Sequence, residues 1–314
     1  MTREARVHVT LDGLLRLRHR ASGFSFLPRQ PVHSLLAGRH ASRLRGRGLD
    51  FAELRHYAEG DDVRTIDWSA TARQGEPFVR VYTEERDRSV LLLVDQRLSM
   101  FFASRGAMKS VVAAEAAALA AFRVASLGDR VGAVIFSEDG FVEIRPAPRD
   151  GAVWRILDAV ARQNARLTAA DPRPLDPSLL NAALERAGRL VPHDGLVCLI
   201  TDAFGADAQT VELVTRITAH NDVLTIFISD PLEAELPDVG RAVMAQADLR
   251  LEVDTASPAL RRRYAADFVA RREAIENFSR KRAIPVLPVS TERDVAEQFR
   301  DLLGERLAKG RLRT

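Results

Sequence analysis

The sequence predicts an α/β protein: a doubly wound, mostly parallel sheet with helices on both faces, plus a smaller N-terminal region that contains β-strands. Three observations lead there. Val90–Val94 is an uninterrupted apolar run closed by Asp95 and followed by an alanine-rich stretch of helical length, the pattern of a strand buried on both faces. Leu196–Thr201 repeats that pattern and ends in Asp202. From Ser89 onwards, short apolar runs alternate with helix-length segments, the order that gives parallel strands joined by helical crossovers.

Residues 1–88 read as an N-terminal basic region and residues 89–314 as the α/β domain. In the first part, Leu11–Arg20 has helical apolar spacing. Gly38–Gly48 carries Arg39, His40, Arg43, Arg45 and Arg47 among glycines and reads as a cationic loop. Leu49–Tyr57 leads into the turn signal Gly60-Asp61-Asp62, and Phe78–Tyr82 alternates like an exposed strand. In the second part, strand Val90–Asp95 is followed by helix Ala107–Leu127, stopped by Gly128-Asp129. Arg130–Phe136 and Phe141–Arg145 form a hairpin around Glu138-Asp139-Gly140. Helices Ala152–Arg162 and Ser178–Leu190 flank a proline-rich loop, and strand Leu196–Thr201 follows. Helix Ala208–His220, strand Val223–Ser229, helix Pro258–Lys281, strand Ile284–Pro288 and helix Arg293–Leu307 complete the series. Residues 231–257 read as an insert in which Arg241–Asp254 forms a hairpin.

Composition narrows the function classes. At 46% hydrophobic and 28% charged, the chain is of ordinary globular type. Its apolar stretches fall short of the roughly 18–20 residues that span a bilayer, and Met1–Arg6 lacks the apolar core of a signal peptide. The expected compartment is therefore the cytoplasm. The lone cysteine, Cys198, sits in an apolar run, which excludes an internal disulfide or a cysteine-built metal cluster. Of 46 basic residues only Lys109, Lys281 and Lys309 are lysines, so 43 are arginines. In so lopsided a chain, with net charge only +3, a single arginine is weak evidence for phosphate contacts.

Asp95 and Asp202 end two buried strands. If the strands are neighbours, both carboxylates open onto the crevice where α/β sheets bind ligands. Two acids plus hydroxyls suit Mg²⁺ or Mn²⁺. The frame Asp95-x-Arg97-x-Ser99 resembles the Asp-x-Ser-x-Ser of the von Willebrand factor A fold, where the acid and both hydroxyls help hold a divalent cation. The resemblance implies Asp95, Ser99 and Asp202 as metal ligands, should a cation bind. Arg97 replaces the first serine. A guanidinium about 4 Å from a dication, at an effective dielectric near 20, is repelled by roughly 8 kcal/mol. Arg97 either points away from the acids or lies between Asp95 and Asp202 as a bidentate pair; the pair, with no cofactor, is the expectation. A hydroxyl from a loop before a helix would complete such a site. Ser178 is the first candidate and Thr168 the second, although Ser178 equally suits a helix N-cap. The expected binding crevice is Asp95, Arg97, Ser99, Ser178, Thr201 and Asp202.

The run Phe51-Ala52-Glu53-Leu54-Arg55-x-Tyr57-x-x-Gly60-Asp61-Asp62-Val63-Arg64-x-Ile66-Asp67-Trp68-x-x-x-Ala72-Arg73, continued by Glu84-Glu85-Arg86 and the strand ending in Asp95, resembles the hallmark of the DUF58 family. The resemblance covers about residues 35–230. It implies a von Willebrand factor A-like domain that works beside AAA+ ATPases of the MoxR type as an adaptor or co-chaperone, here in the short soluble branch without membrane helices. The residues themselves suggest structure rather than chemistry. Gly60-Asp61-Asp62 makes a tight turn with a capping carboxylate. Glu53, Arg55, Asp61, Asp62, Arg64, Asp67 and Arg73 are dense opposite charges around Tyr57 and Trp68, expected to form a partly buried ion-pair network that pins the N-terminal region onto the α/β domain.

The function expected from these readings is a non-enzymatic protein-interaction module, partnered by a MoxR-type ATPase and an unknown client. Two alternatives stand beside it. A Mg- or Mn-dependent enzyme using Asp95 and Asp202 needs a nucleophile and base that the spacing does not supply. A nucleic-acid binder using residues 39–47 and 261–282 lacks interleaved aromatics there and requires binding that falls steeply with salt. The arginines of 261–282 also suit an acidic partner surface or peripheral contact with anionic lipid heads. Glu115, within Ala113–Ala121, is expected at a solvent edge.

Overall fold

The computed structural model describes residues 6–24, 49–58, 61–84, 88–246, 249–282 and 284–310. Gly60, the cationic stretch Gly38–Gly48, Glu85 and Arg86 lie outside them, as do the side chains of Glu53, Arg271 and residues 280–282. The chain divides into two compact units, Met1–Leu27 with Arg88–Thr314, and Pro28–Asp87.

The first unit begins with helix α1, Leu11–Arg16, capped by the Thr10 hydroxyl on the Gly13 amide. The described part of the second unit contains a hairpin and a helix. Strands β1, Leu49–His56, and β2, Phe78–Glu84, pair antiparallel from Leu49↔Glu84 to His56↔Phe78. Between them, helix α2, Trp68–Gln74, is capped by Asp67 on the Ser69 and Ala70 amides and stopped by Gly75 at φ 77°, the left-handed conformation that glycine adopts freely. Ala70 and Val79 are buried. Trp68 is 70% exposed rather than enclosed by a partly buried network. Arg55 forms a two-pronged pair with Asp61 at 2.7 and 2.8 Å. Asp62 and Asp67 accept from main-chain amides, because a tight turn and a helix start leave amides that a nearby Asx carboxylate satisfies at little entropic cost.

The first unit resumes with strand β3, Ser89–Asp95, and helix α3, Lys109–Ser126. Strands β4, Arg130–Ser137, and β5, Gly140–Ala147, follow, then helices α4, Asp150–Asn164, and α5, Ser178–Leu190. Strand β6, Leu196–Thr201, helix α6, Ala208–Thr218, and strand β7, Asp222–Ser229, come next. The short helix α7, Pro231–Ala234, leads to the hairpin β8, Arg241–Gln246, and β9, Leu249–Asp254, a two-stranded sheet of its own. Helix α8, Pro258–Arg282, strand β10, Val286–Ser290, and helix α9, Val295–Gly310, close the chain. The main sheet runs β10-β7-β6-β3-β4-β5, all parallel except β5, which turns back antiparallel beside β4.

Alternation along β3 divides the core. Val90, Leu92 and Val94 pack under α3, α4 and α9, while Leu91 and Leu93 pack under α5 and α6. Leu91, Leu92 and Leu93 are completely buried, each contributing about 1.5–3 kcal/mol by its removal from water. The expected doubly wound α/β sheet is the one observed.

The first residues group with Arg88–Thr314 and not with Pro28–Asp87. Residues 6–24 pack on the α/β unit: Leu14 and Phe24 are buried in its core, and the Phe24 ring meets Phe299 edge-on at 5.6 Å. Arg6 hydrogen-bonds through its backbone to Gly106 and Met108, and Arg20 makes a two-pronged pair with Asp294. This cover changes the place of Glu115, which is 8% exposed and paired with Arg6 rather than at a solvent edge. Asn164 locks the segment down. Its side chain accepts from the Val9 amide at 2.8 Å and donates to Gln96 Oε1 at 2.9 Å. Asn164→Ala strands both groups and is expected to cost about 2–3 kcal/mol, read as a lowered midpoint in urea unfolding with the slope unchanged.

Candidate functional site

Parallel pairing of β3 with β6, Val94 opposite Ile200, brings Asp95 and Asp202 side by side at the carboxyl edge of the sheet. The chain winds outwards from this strand pair in both directions, which opens a crevice above it. Asp95 is fully buried and every lone-pair direction is taken up. Its Oδ1 accepts from the Arg97 amide and Nε, both at 3.0 Å. Its Oδ2 accepts from Arg97 Nη2 at 2.7 Å and from the Thr201 hydroxyl at 2.6 Å.

Arg97 is 1% exposed. Nη1 donates to the Phe204 carbonyl at 3.1 Å, Nη2 lies 3.8 Å from Asp202 Oδ1, and the guanidinium stands over the Phe136 and Phe204 rings. Burial works against its charge, but Asp95, Asp202 and Glu138 more than offset that, so its pKa lies above the ordinary arginine value. The arginine therefore lies between the two acids.

A second cation, unnoticed in the sequence, completes the arrangement. Lys109, the first residue of α3, is 2% exposed. Its Nζ donates to Asp202 Oδ2 at 2.8 Å and to Glu233 Oε1, on α7, at 2.7 Å. Burial opposes its charge; Asp202 and then Glu233 outweigh burial and raise its pKa. Burial pushes Asp202 up, yet Lys109, the Phe204 amide and Arg97 together hold it below the usual carboxylate range. The one signal for Lys109 was its rarity, the sole lysine before residue 281 in an arginine-rich chain.

The remaining expected residues divide. Ser99 lines the crevice, and its buried hydroxyl oxygen has no partner among the described residues. Ser178 is exposed and does not reach the acids: its amide and hydroxyl both donate to Asp176 Oδ1, at 2.9 and 2.7 Å. It is not the helix cap either, since Pro177 holds that position. A carboxylate two residues back is simply the nearer partner. Thr168, the second candidate, does line the crevice, a cavity of about 340 Å³ whose wall also includes Phe102, Lys109, Asp202 and Glu233. Cys198 lies mid-strand in β6, its thiol pushed up to about 12 by burial.

These donors do not fit a divalent cation. Both Asp95 oxygens and both Asp202 oxygens are engaged, and fixed positive charges stand beside each acid. A dication about 4 Å from either one meets roughly 8 kcal/mol of repulsion. Among the described residues, no group of three or more His, Cys, Asp and Glu side chains could hold a metal ion.

The sheet order, with its single antiparallel edge strand and its acid-bearing crevice at the β3–β6 switch, defines a von Willebrand factor A-like domain. The chain belongs to the DUF58 family, described as "Protein of unknown function DUF58", which matches residues 53–274. It is similar to the uncharacterized proteins Rv1480 of Mycobacterium tuberculosis and Mb1516 of Mycobacterium bovis, each 30% identical over 271 residues, which cover 85% of this chain and 82% of the relative. Among solved structures it is similar to the conserved hypothetical protein BatB from Bacteroides thetaiotaomicron, at 14% identity and a TM-score of 0.38, over 71% of this chain and 98% of that one. It is also similar to a von Willebrand factor type A protein from Catenulispora acidiphila, at 14% identity and a TM-score of 0.35, over 72% and 44%. No described helix is long and apolar enough to cross a membrane.

Glu138, at the tip of the β4–β5 hairpin, borders the same site. Its Oε2 accepts from the Leu98 amide at 2.9 Å, while Oε1 is buried with no partner among the described residues. Burial holds its carboxyl above the usual range. A carboxyl raised by folding favours the folded state when protonated. That contribution is complete below the unfolded value of about 4.3 and lost as pH rises through the folded one. Glu138→Gln is therefore expected to raise the thermal unfolding midpoint at pH 7, with the gain disappearing near pH 4.

Proposed function

We propose that this protein is a non-enzymatic interaction module, an adaptor or co-chaperone for a MoxR-type AAA+ ATPase, which grips its partner or client at the β3–β6 crevice without a divalent cation. The observation that carries the reading is Arg97, buried and bonded to Asp95 where the related frame places a metal-binding hydroxyl. The site keeps the position of a degenerate metal-ion-dependent adhesion site and replaces its ion with side chains. The resemblance to the DUF58 family supports an ATPase partner of this type, and the cytoplasm is the compartment in which the two would meet. The crevice offers an aromatic wall, with Phe102 37% exposed beside Tyr264 and Phe204. Exposed aromatic area of this kind carries binding energy at interfaces.

The test is an affinity pull-down of the tagged full chain from its native lysate in ATP-free buffer, with Mg²⁺ or with EDTA. An AAA+ ATPase retained equally in both arms, and reduced at least tenfold by Phe102→Asp, is the expected result. Loss in EDTA overturns the cation-free site. Absence of the ATPase from both arms overturns the adaptor reading.

A further inference from the structure

We infer that Arg97 and Lys109 act as a pair, together standing in for the divalent cation that the related frame holds, so that either one alone is enough to keep an ion out. This deepens the reading of the crevice proposed above, but its test needs no partner protein. The geometry divides two unit charges between two acids. Arg97 takes Asp95 with both prongs and only approaches Asp202, at 3.8 Å. Asp202 is satisfied by Lys109 instead, and Lys109 carries the contact on to Glu233.

The residue types suit their tasks. A single carboxylate approached edge-on fits the planar fork of arginine. Two carboxylates on different elements, Asp202 after β6 and Glu233 on α7, need a compact cation with divergent donors, which is an ammonium. That accounts for a lysine in a chain in which 43 of 46 basic residues are arginines. Helix formation does not account for it: Lys109 is the first residue of an 18-residue helix, where the dipole disfavours a positive charge. The acids hold it there. With both cations removed, the Asp95 and Asp202 carboxylates would be left without their counter-charges beside the unpartnered Ser99 hydroxyl, oxygen donors of the kind that suit Mg²⁺ or Mn²⁺.

The experiment titrates Mn²⁺ into the full-length wild type, Arg97→Ser, Lys109→Met and the double variant, followed by calorimetry and by the thermal midpoint with Mn²⁺ or EDTA. The wild type and both single variants are expected to bind no Mn²⁺ below millimolar concentration. The double variant is expected to bind it at least tenfold more tightly than either single variant and to gain several degrees in midpoint from it. Mn²⁺ binding by the wild type that Asp95→Asn abolishes overturns the inference. Tight binding by Arg97→Ser alone overturns the part given to Lys109. A double variant that neither binds Mn²⁺ nor is stabilised by it overturns the equivalence of the pair to an ion, including the case in which it fails to fold in either medium.

Discussion

The strand ends of this protein are organised by one requirement, that the Asp95 carboxylate be buried at the end of the central strand and still be fully paired. An ionised carboxylate without partners in such a place costs several kcal/mol. The chain meets that cost locally, with an arginine two residues on that returns to the same carboxylate through its amide, Nε and Nη2. Because the turn after β3 is built around this contact, the positions of Leu98, Ser99 and Met100 follow from it. So does the approach of Phe204, whose carbonyl receives the remaining prong.

From there the polar contacts spread outwards without a break. Thr201 bonds Asp95, Lys109 ties Asp202 to Glu233, and Glu233 accepts from the Asp230 amide to close a capping box at the start of α7. Asp230 in turn gathers the Ser104 hydroxyl and amide, the Thr291 hydroxyl and the Leu232 amide. Burial pushes Asp230 up, and those donors more than reverse it. The loops that follow β3, β6, β7 and β10 are thereby joined through side chains as well as through the sheet. On the other flank Gln96, next to Asp95 in sequence, bonds both Ser110 on α3 and Asn164 at the end of α4, which in turn holds Val9. Gln96 thus ties the end of β3, beside the crevice, to the N-terminal segment.

How much of this was legible in the sequence depended on the range of the interaction. Strands β3 and β6 stood out because burial on both faces writes a continuous apolar run, and the hairpin β4–β5 stood out through its turn. Arg97 was readable because its partner is two residues away in a recognisable frame. Lys109 and Glu233 were not, since the pair lies 124 residues apart and the rarity of lysine in this chain names no partner for Lys109. Glu115 failed for the same reason: its partner Arg6 lies 109 residues away, in a segment that reads from sequence as part of residues 1–88. Ser178 failed in the opposite way. Its expected long-range role gave way to Asp176, a partner too near to compete with.

A buried network of this kind is a weak source of stability, because desolvation of each ion cancels most of the attraction that pairing returns. Apolar residues of equal volume at Asp95, Arg97, Asp202 and Lys109 would hold the sheet as well. What they would not supply is fixed geometry. Each ion pair has one arrangement that satisfies all of its donors and acceptors, and displacement by even an ångström leaves a charge unmatched in a low-dielectric setting. A bound ion gives an adhesion site the same definition, but only while the ion is there. Side-chain charges covalently attached to β3 and α3 give it permanently, since an arginine never loses its proton and Lys109 is held protonated by two carboxylates. The shape of the crevice in this protein is therefore a property of the folded chain itself.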